Sequence, residues 1–375
     1  MTEKLALAHM IPRPLAYVLG GGGSRGAVQL GMLQALAHTD LRPDLVVGTS
    51  VGSLNGAVLA SDPDHAAAKL TEIWPRIDRQ QVFPGGFFLK TLAATTSGRS
   101  YVFDPTPLSD LLHEYLPVSR IEDLEVPFTA IATDFDTGVR IDIDSGDLRT
   151  ALLASSAVPV AFPWVERDGR RLVDGGLVAN IPVRQAVARG ARSVLVLDCG
   201  IFGAEGRWSQ GIVGVVVQSL AIAGRQQVTV DLEVAANVPV LYFPVPASIP
   251  TTIFDFESTA ALAAESFEQG MIALAALAEH GPKHAQLAPG LYGQPPLAIL
   301  NPEIEALRRS VDRSGATSSM VSGGRWVRRG AHFEDWPYAA THARNGDTDA
   351  PSAESDTVPD APSGDVAESS TDAQG

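Results

Sequence analysis

Two glycine-framed turns, each lying between an apolar run and a helix-like stretch, constrain this chain more than any other feature. The first, GGGSRG at residues 21–26, follows the apolar run 15–19, and the second, GTSVG at 48–52, follows the run 45–47. The second turn has the G-x-S-x-G form of a nucleophile elbow, which exposes a serine hydroxyl between a strand and a helix. The first can direct several backbone N–H groups toward a developing negative charge. Together they predict an acyl-transfer enzyme with Ser50 as the attacking group.

Strand-like and helix-like segments alternate through most of the chain. This alternation predicts an α/β fold with a mainly parallel central sheet sandwiched between helices, in three layers. The predicted strands are 15–20, 44–48, 127–133, 138–143, 193–198 and 238–243, and the predicted helices are 25–38, 51–60, 62–77 (with Asp62 as its cap), 147–156, 182–189 and 258–279.

Composition limits the classes of binding partner and the cellular compartment that we expect for this chain. The net charge is −15 without a dense Lys/Arg block, which argues against nucleic acid as a partner. The single cysteine, Cys199, excludes an intrachain disulfide, and its apolar setting predicts a buried structural residue. We see no signal peptide at the N-terminus, so we expect a cytoplasmic protein. The apolar stretch 211–223 is too short for a membrane-spanning helix, so we expect it to form a mostly buried helix.

Three segments depart from the α/β alternation. Residues 79–106 are rich in Gly, Pro and aromatic residues, which is typical of a lid, of an acyl-chain mouth or of a packed loop. Residues 281–335 predict a partly irregular C-terminal extension. The acidic segment 340–375 lacks large apolar residues, so it predicts a disordered tail.

A serine nucleophile needs a base, and the histidines offer none in a suitable setting. The eight histidines fall at helix ends, in polar turns or in irregular segments, and none follows a strand in a glycine-bearing loop. Asp174 instead ends an apolar strand and is followed by Gly175 and Gly176. A partly desolvated site would raise the pKa of this carboxyl toward a useful value. An ordinary turn at this position remains the alternative.

These motifs, in this order, resemble the patatin-like phospholipases. The glycine turn, the elbow and the DGG triplet at 174–176 all match, as do ATDFDTG at 132–138 and ASSAVPVAFP at 154–163. The resemblance is strong over residues 14–200 and weaker to 280, so it implies a catalytic domain over 14–280.

The resemblance implies a serine–aspartate dyad of Ser50 and Asp174, and an oxyanion hole at the N–H groups of Gly22 and Gly23. Arg25 matches a basic position that either steadies the turn or faces a lipid phosphate. The matching motif residues are Gly21, Arg25, Gly26, Gly48, Gly52, Gly175 and Gly176. The implied reaction is release of fatty acids from lipid esters, of the phospholipase A or lysophospholipase type, without cofactor or metal.

Other functions remain open at this point. The glycines of the first turn also fit a dinucleotide-binding motif, but the second strand lacks the acidic residue at its end that such a site needs. A non-catalytic lipid-binding or scaffold protein on the same fold is a second alternative. An acyltransferase using the same dyad is a third. We also expect peripheral contact with a membrane, and the oligomeric state is undetermined.

Overall fold

The structure is a computed structural model that describes residues 4–82, 100–201, 226–246 and 254–293, together with positions 219, 222 and 224. Most of the predicted insertion, most of the predicted helix 211–223 and the whole acidic tail therefore lie outside the described residues. Cys199 is buried, as its sequence setting predicted.

The described residues contain one mixed sheet. Its order is β5-β6-β3-β2-β1-β7-β8-β9, with β4 paired to the other edge of β3. Pairing from β3 through β2, β1, β7 and β8 to β9 is parallel, whereas β4, β5 and β6 join antiparallel. The strands are β1 Leu15–Leu19, β2 Leu45–Thr49, β3 Phe128–Asp134, β4 Arg140–Ile143, β5 Val165–Arg167, β6 Arg170–Asp174, β7 Ser193–Leu197, β8 Pro239–Tyr242 and β9 Gly290–Tyr292.

Helices cover both faces of the sheet. Along β1, Leu15, Tyr17 and Leu19 belong to one apolar cluster, while Ala16 and Val18 belong to another on the opposite face. Strand side chains alternate between faces, so each cluster marks one helical layer. The helices are α1 Ala27–Leu36, α2 Val51–Ser61, α3 Ala66–Ile73, α4 Arg79–Val82, α5 Thr106–Tyr115, α6 Leu148–Ser155, α7 Val183–Ala188 and α8 Thr259–His280. The predicted three-layer α/β/α fold is confirmed.

Strand register brings two chain segments together at one point of the sheet. The last partner of β2 on β3 is Ile131, opposite Thr49, and Asp174 of β6 pairs with the next residue, Ala132. Because β4 occupies the other edge of β3, β2 and β6 must share the same edge, one after the other. The residue after β2, Ser50, therefore meets the end of β6.

The structure corrects some local predictions. Asp62 is not a helix cap: α3 begins only at Ala66, after His65, although Asp62 accepts a hydrogen bond from the His65 N–H. Helix α5 and strand β9 were not predicted at all. Within the described residues, we find no helix with the length and apolar content that crossing a bilayer requires.

Candidate active site

Ser50 occupies a strained turn between β2 and α2. Its backbone has φ 54° and ψ −130°, a left-handed conformation that costs a non-glycine residue about 1–3 kcal/mol and is characteristic of functional turns. The Ser50 N–H donates to the Oγ of Ser155 at 3.0 Å, and the Ser50 carbonyl accepts from the Ser53 Oγ at 2.6 Å. These two bonds fix the turn from both sides.

The elbow is packed so tightly that its flanking residues must be glycine. A Cβ on Gly48 would lie 2.5 Å from the Gly52 carbonyl oxygen, and a Cβ on Gly52 would lie 2.2 Å from the carbonyl oxygen of Leu19. Both distances are far shorter than a carbon–oxygen contact allows. The G-x-S-x-G pattern therefore has a direct steric cause in this fold.

Asp174 is the last residue of β6, and its backbone is held on two sides. Its N–H donates to the Ala157 carbonyl at 3.0 Å, and its own carbonyl accepts from the Thr133 Oγ1 at 2.9 Å. The next residue, Gly175, lies so close to β3 that a Cβ there would be 2.3 Å from the carbonyl oxygen of Ile131. The DGG triplet thus turns the chain directly against β3, which is also the strand that pairs with β2.

Burial dominates the electrostatics of Asp174. The residue is only 6% exposed, and this desolvation raises the pKa of its carboxyl to about 6, against the opposing effects of the nearby Ser50 hydroxyl and the Gly176 N–H. The Gly176 N–H donates to Oδ1 at 2.7 Å. Oδ2 is buried and has no hydrogen-bond partner in the described part of the chain. The Ser50 hydroxyl is therefore near the carboxyl group without making a hydrogen bond of standard geometry, a looseness common in unliganded sites.

The first glycine turn lies directly beside Ser50. A Cβ on Gly21 would be 3.1 Å from the Cβ of Ser50, and the Gly21 N–H is already bonded to the Asn180 carbonyl at 3.2 Å. The N–H groups of Gly22 and Gly23 donate to no acceptor among the described residues. Gly23, with φ 58°, lines the same cavity as Ser50. Two backbone N–H groups of this turn are thus without an acceptor among the described residues, and one of them belongs to a residue that lines the cavity.

A buried polar bridge that sequence reasoning missed connects the glycine turn to the elbow helix. Gln29 donates to the carbonyls of Gly20 and Leu197 at 2.8 and 2.9 Å, and it accepts from the Asn55 side chain at 2.8 Å. Asn55 accepts in turn from the Trp74 indole at 3.2 Å. The available signal was an amide side chain among mainly apolar residues in each helix, Gln29 in α1 and Asn55 in α2.

Arg25 is buried beneath the turn rather than directed toward the cavity. It is 2% exposed, and its Nε donates to the Cys199 carbonyl at 2.8 Å. Burial raises the pKa of the nearby Asp198 carboxyl, and the charge of Arg25 partly opposes that rise. Asp198 accepts a hydrogen bond from the Tyr242 hydroxyl at 2.7 Å. These contacts favour the first of the two predicted roles, in which Arg25 steadies the turn.

A cavity of about 130 Å³ opens beside Ser50. Helices α2, α3 and α5 and the segment after α6 supply walls that are mainly apolar. The lining residues are Gly23, Ser50, Val51, Leu54, Asn55, Val58, Leu70, Ile73, Trp74, Ile77, Val82, Leu108, Leu111, Leu112, Tyr115, Leu116, Ser156, Val158, Phe162 and Phe256. An apolar cavity with a few polar groups at one place is typical of a small-molecule site, here one suited to a hydrocarbon chain.

The histidines do not take part in this arrangement. The six within the described residues are exposed or half-buried, and none lines the cavity. His332 and His342 lie outside the described residues. Within the described ranges, no group of three or more His, Cys, Asp or Glu side chains could hold a metal ion.

Comparisons with known proteins agree with the motifs. The family model described as patatin-like phospholipase matches residues 17–187. Patatin-like phospholipase domain-containing protein 7 of Mus musculus is 32% identical over 52% of this chain, and the match covers 14% of that protein. Lysophospholipase NTE1 of Candida glabrata is 29% identical over 52% of this chain and 11% of its own length. The chain thus spans only a small part of these relatives.

Among solved structures, VipD from Legionella pneumophila superposes with a TM-score of 0.36 and 15% identity, over 92% of this chain and 82% of that chain.

The raised pKa of Asp174 predicts a pH-dependent stability. Its folded pKa of about 6 exceeds the ordinary value of 3.8, so ionisation destabilises the fold progressively as pH rises from about 4 to 6, and fully above 6. Asp174→Asn, which can still accept from the Gly176 N–H, should raise the free energy of unfolding at pH 7.5 by up to about 3 kcal/mol. The gain should shrink toward zero at pH 4, as measured by denaturant titration.

The matched control is Asp168→Asn, since the Asp168 side chain is 86% exposed. It should change the unfolding free energy by less than about 0.5 kcal/mol at either pH. A loss of stability in Asp174→Asn at pH 7.5 would contradict the description of Asp174 as a desolvated carboxylate.

Proposed function

Residues 17–187 of this chain form a patatin-like phospholipase domain, and from that membership we propose that the protein hydrolyses lipid esters with Ser50 as nucleophile and Asp174 as general base. One observation carries the proposal. Ser50 and Gly23, whose N–H is unbonded, line one apolar cavity, and the buried carboxyl of Asp174, with its raised pKa, lies near the Ser50 hydroxyl. Nucleophile, base and oxyanion donor are the three parts that acyl transfer requires.

In the first step, the Ser50 Oγ attacks the ester carbonyl while Asp174 accepts its proton. The carbonyl oxygen becomes an oxyanion, which the N–H groups of Gly22 and Gly23 stabilise. Asp174 then returns the proton to the departing alkoxide, and an acyl-enzyme remains. A pKa of about 6 suits both transfers, because the carboxyl is mostly ionised at pH 7 yet more basic than an ordinary aspartate.

In the second step, water attacks the acyl carbon of the acyl-enzyme. Asp174 accepts a proton from the water, the bond between the acyl carbon and the Ser50 Oγ breaks, and Ser50 recovers its proton from Asp174. The product is a free fatty acid. The apolar cavity supports a hydrocarbon acyl group as substrate, because burying each CH₂ contributes about 0.8 kcal/mol. An acyltransferase would differ only in the acceptor used in this second step.

The dyad is tested on a soluble chromogenic ester. Ser50→Ala should abolish hydrolysis without unfolding the protein, and a fluorophosphonate should label Ser50 in the unaltered protein. Asp174→Asn should reduce turnover by roughly 10²–10⁴-fold, the usual contribution of a general base. The control is His280→Gln, which removes a half-buried imidazole at the end of α8 and should leave turnover nearly unchanged. Labelling at a different serine, or full activity in Asp174→Asn, would refute the dyad.

We further propose that the protein approaches its substrate from a zwitterionic phospholipid surface. Phe135 and Val139 are 50% and 54% exposed. The Phe135 ring stacks on Trp164 with centroids 6.1 Å apart, and the Arg171 guanidinium lies 5.0 Å from the Trp164 centroid. Aromatic and arginine side chains in such a group are favoured where membrane and water meet.

The charge of this exposed patch favours a zwitterionic surface, and its position in the chain places it close to the candidate site. Arg171 is paired with Asp136, so the patch offers both signs of charge and has no excess of positive charge for an anionic bilayer. Trp164 follows Phe162 by two residues, and Phe162 lines the cavity. The exposed patch and the acyl cavity are thus connected through one short segment.

The patch is tested by Phe135→Ser combined with Val139→Ser. Partitioning onto phosphatidylcholine vesicles should weaken about tenfold, since two exposed apolar side chains lose their burial in lipid, while hydrolysis of a soluble ester stays unchanged. Val230→Ser, which removes an exposed apolar side chain from the helical residues 226–232, is the control and should bind like the unaltered protein. Unchanged partitioning of the double variant, or binding only to anionic vesicles, would contradict this surface.

A further inference from the structure

Two side-chain oxygen atoms at the candidate active site are buried without a hydrogen-bond partner. They are the Ser156 Oγ and the Asp174 Oδ2, and within the described part of the chain only the Tyr17 hydroxyl and Asp231 Oδ2 share this condition. Buried polar groups are nearly always bonded, because an unbonded one destabilises the fold. Unpartnered oxygens at a candidate active site therefore indicate a ligand that supplies the missing bonds.

The backbone places Ser156 at the reacting centre. Its predecessor, Ser155, accepts the Ser50 N–H at 3.0 Å. Its successor, Ala157, accepts the Asp174 N–H at 3.0 Å. Ser156 thus lies between the residue that holds the nucleophile and the residue that holds the base. The residue is 7% exposed, its Oγ is fully buried, and it lines the same cavity as Ser50.

The other polar side chains of the cavity wall already have partners. Asn55 donates to Gln29 and to the Gly26 carbonyl and accepts from Trp74. Tyr115 is half-buried, and its hydroxyl is close enough to Arg76 to raise the pKa of that guanidinium. Among the described lining residues, Ser156 is therefore the one whose hydroxyl is buried without a hydrogen-bond partner.

We propose that Ser156 Oγ and Asp174 Oδ2 form the binding site of the acceptor hydroxyl, which is water in hydrolysis. This inference rests on the proposed function. The water donates one hydrogen to Oδ2 and accepts one from the Ser156 hydroxyl, and its remaining lone pair is free to attack the acyl carbon. Asp174 takes the proton as the new carbon–oxygen bond forms. Ser50 leaves the acyl carbon and regains that proton.

The acceptor site acts only in the second step, the hydrolysis of the acyl-enzyme. Removing the Ser156 hydroxyl should therefore slow deacylation and leave the rate of acylation unchanged. In Ser156→Ala, the rate of fluorophosphonate labelling at Ser50 should stay unchanged. With a chromogenic ester, the acyl-enzyme fraction at steady state, read by intact-protein mass spectrometry, should rise, and turnover should fall by roughly five- to tenfold, the effect of one lost hydrogen bond. The midpoint of thermal unfolding should stay the same or rise, because an unsatisfied hydroxyl is removed.

Two further variants separate this role from a structural one. Ser156→Thr keeps the hydroxyl and should restore the lower acyl-enzyme fraction. Ser266→Ala removes a buried hydroxyl that does have a partner, the Val28 carbonyl at 2.8 Å, and should lower the unfolding midpoint without raising the acyl-enzyme fraction.

An acyl-enzyme fraction in Ser156→Ala no higher than in the unaltered protein would overturn the acceptor site. So would fluorophosphonate labelling slowed as much as turnover. Failure of the proposed function looks different: the fluorophosphonate would then leave Ser50 unmodified, and Ser50→Ala would remain active.

Discussion

The site depends on the close approach of two backbone turns, which is possible only because several of their residues lack a side chain. A Cβ on Gly52 would lie 2.2 Å from the Leu19 carbonyl oxygen, and a Cβ on Gly26 would lie 2.4 Å from a methyl carbon of Val51. The Gln29–Asn55 bridge then holds the two turns in this position. Ser50 consequently lies beside the first glycine turn, in which the N–H groups of Gly22 and Gly23 have no acceptor among the described residues.

Several features of the candidate site lower the stability of the fold. Ser50 has an unfavourable backbone conformation, Asp174 is a carboxyl removed from water, and Ser156 carries an unsatisfied hydroxyl. Each of these features destabilises the fold when considered alone. In the proposed mechanism, each also has a use in acyl transfer: exposure of the nucleophile, a more basic carboxylate and a place for the acceptor. Strain and unsatisfied groups are found at functional sites for this reason.

Local signals in the sequence were sufficient for the fold class and for locating the parts of the candidate site. The alternation of apolar runs and helical stretches predicted the three layers, and the glycine spacing marked both turns. The sequence could not show that β6 follows β2 along one edge of β3, because that register is set by tertiary pairing. The Gln29–Asn55–Trp74 bridge was missed for the same reason. Asp62 was wrongly predicted as a cap, because a cap-like residue before a proline also fits the non-helical turn that precedes α3.

The central claim is that a desolvated aspartate, and no histidine, activates Ser50. The pH dependence of kcat/KM on a soluble ester tests it most directly, because this parameter reports the ionisation of the free enzyme. If Asp174 is the base, activity should rise with pH through one ionisation near 6, set by the burial of its carboxyl, and then reach a plateau. The profile should be the same when each of the eight histidines is replaced in turn by glutamine. Loss of the ionisation near pH 6 in any folded histidine variant would contradict the account.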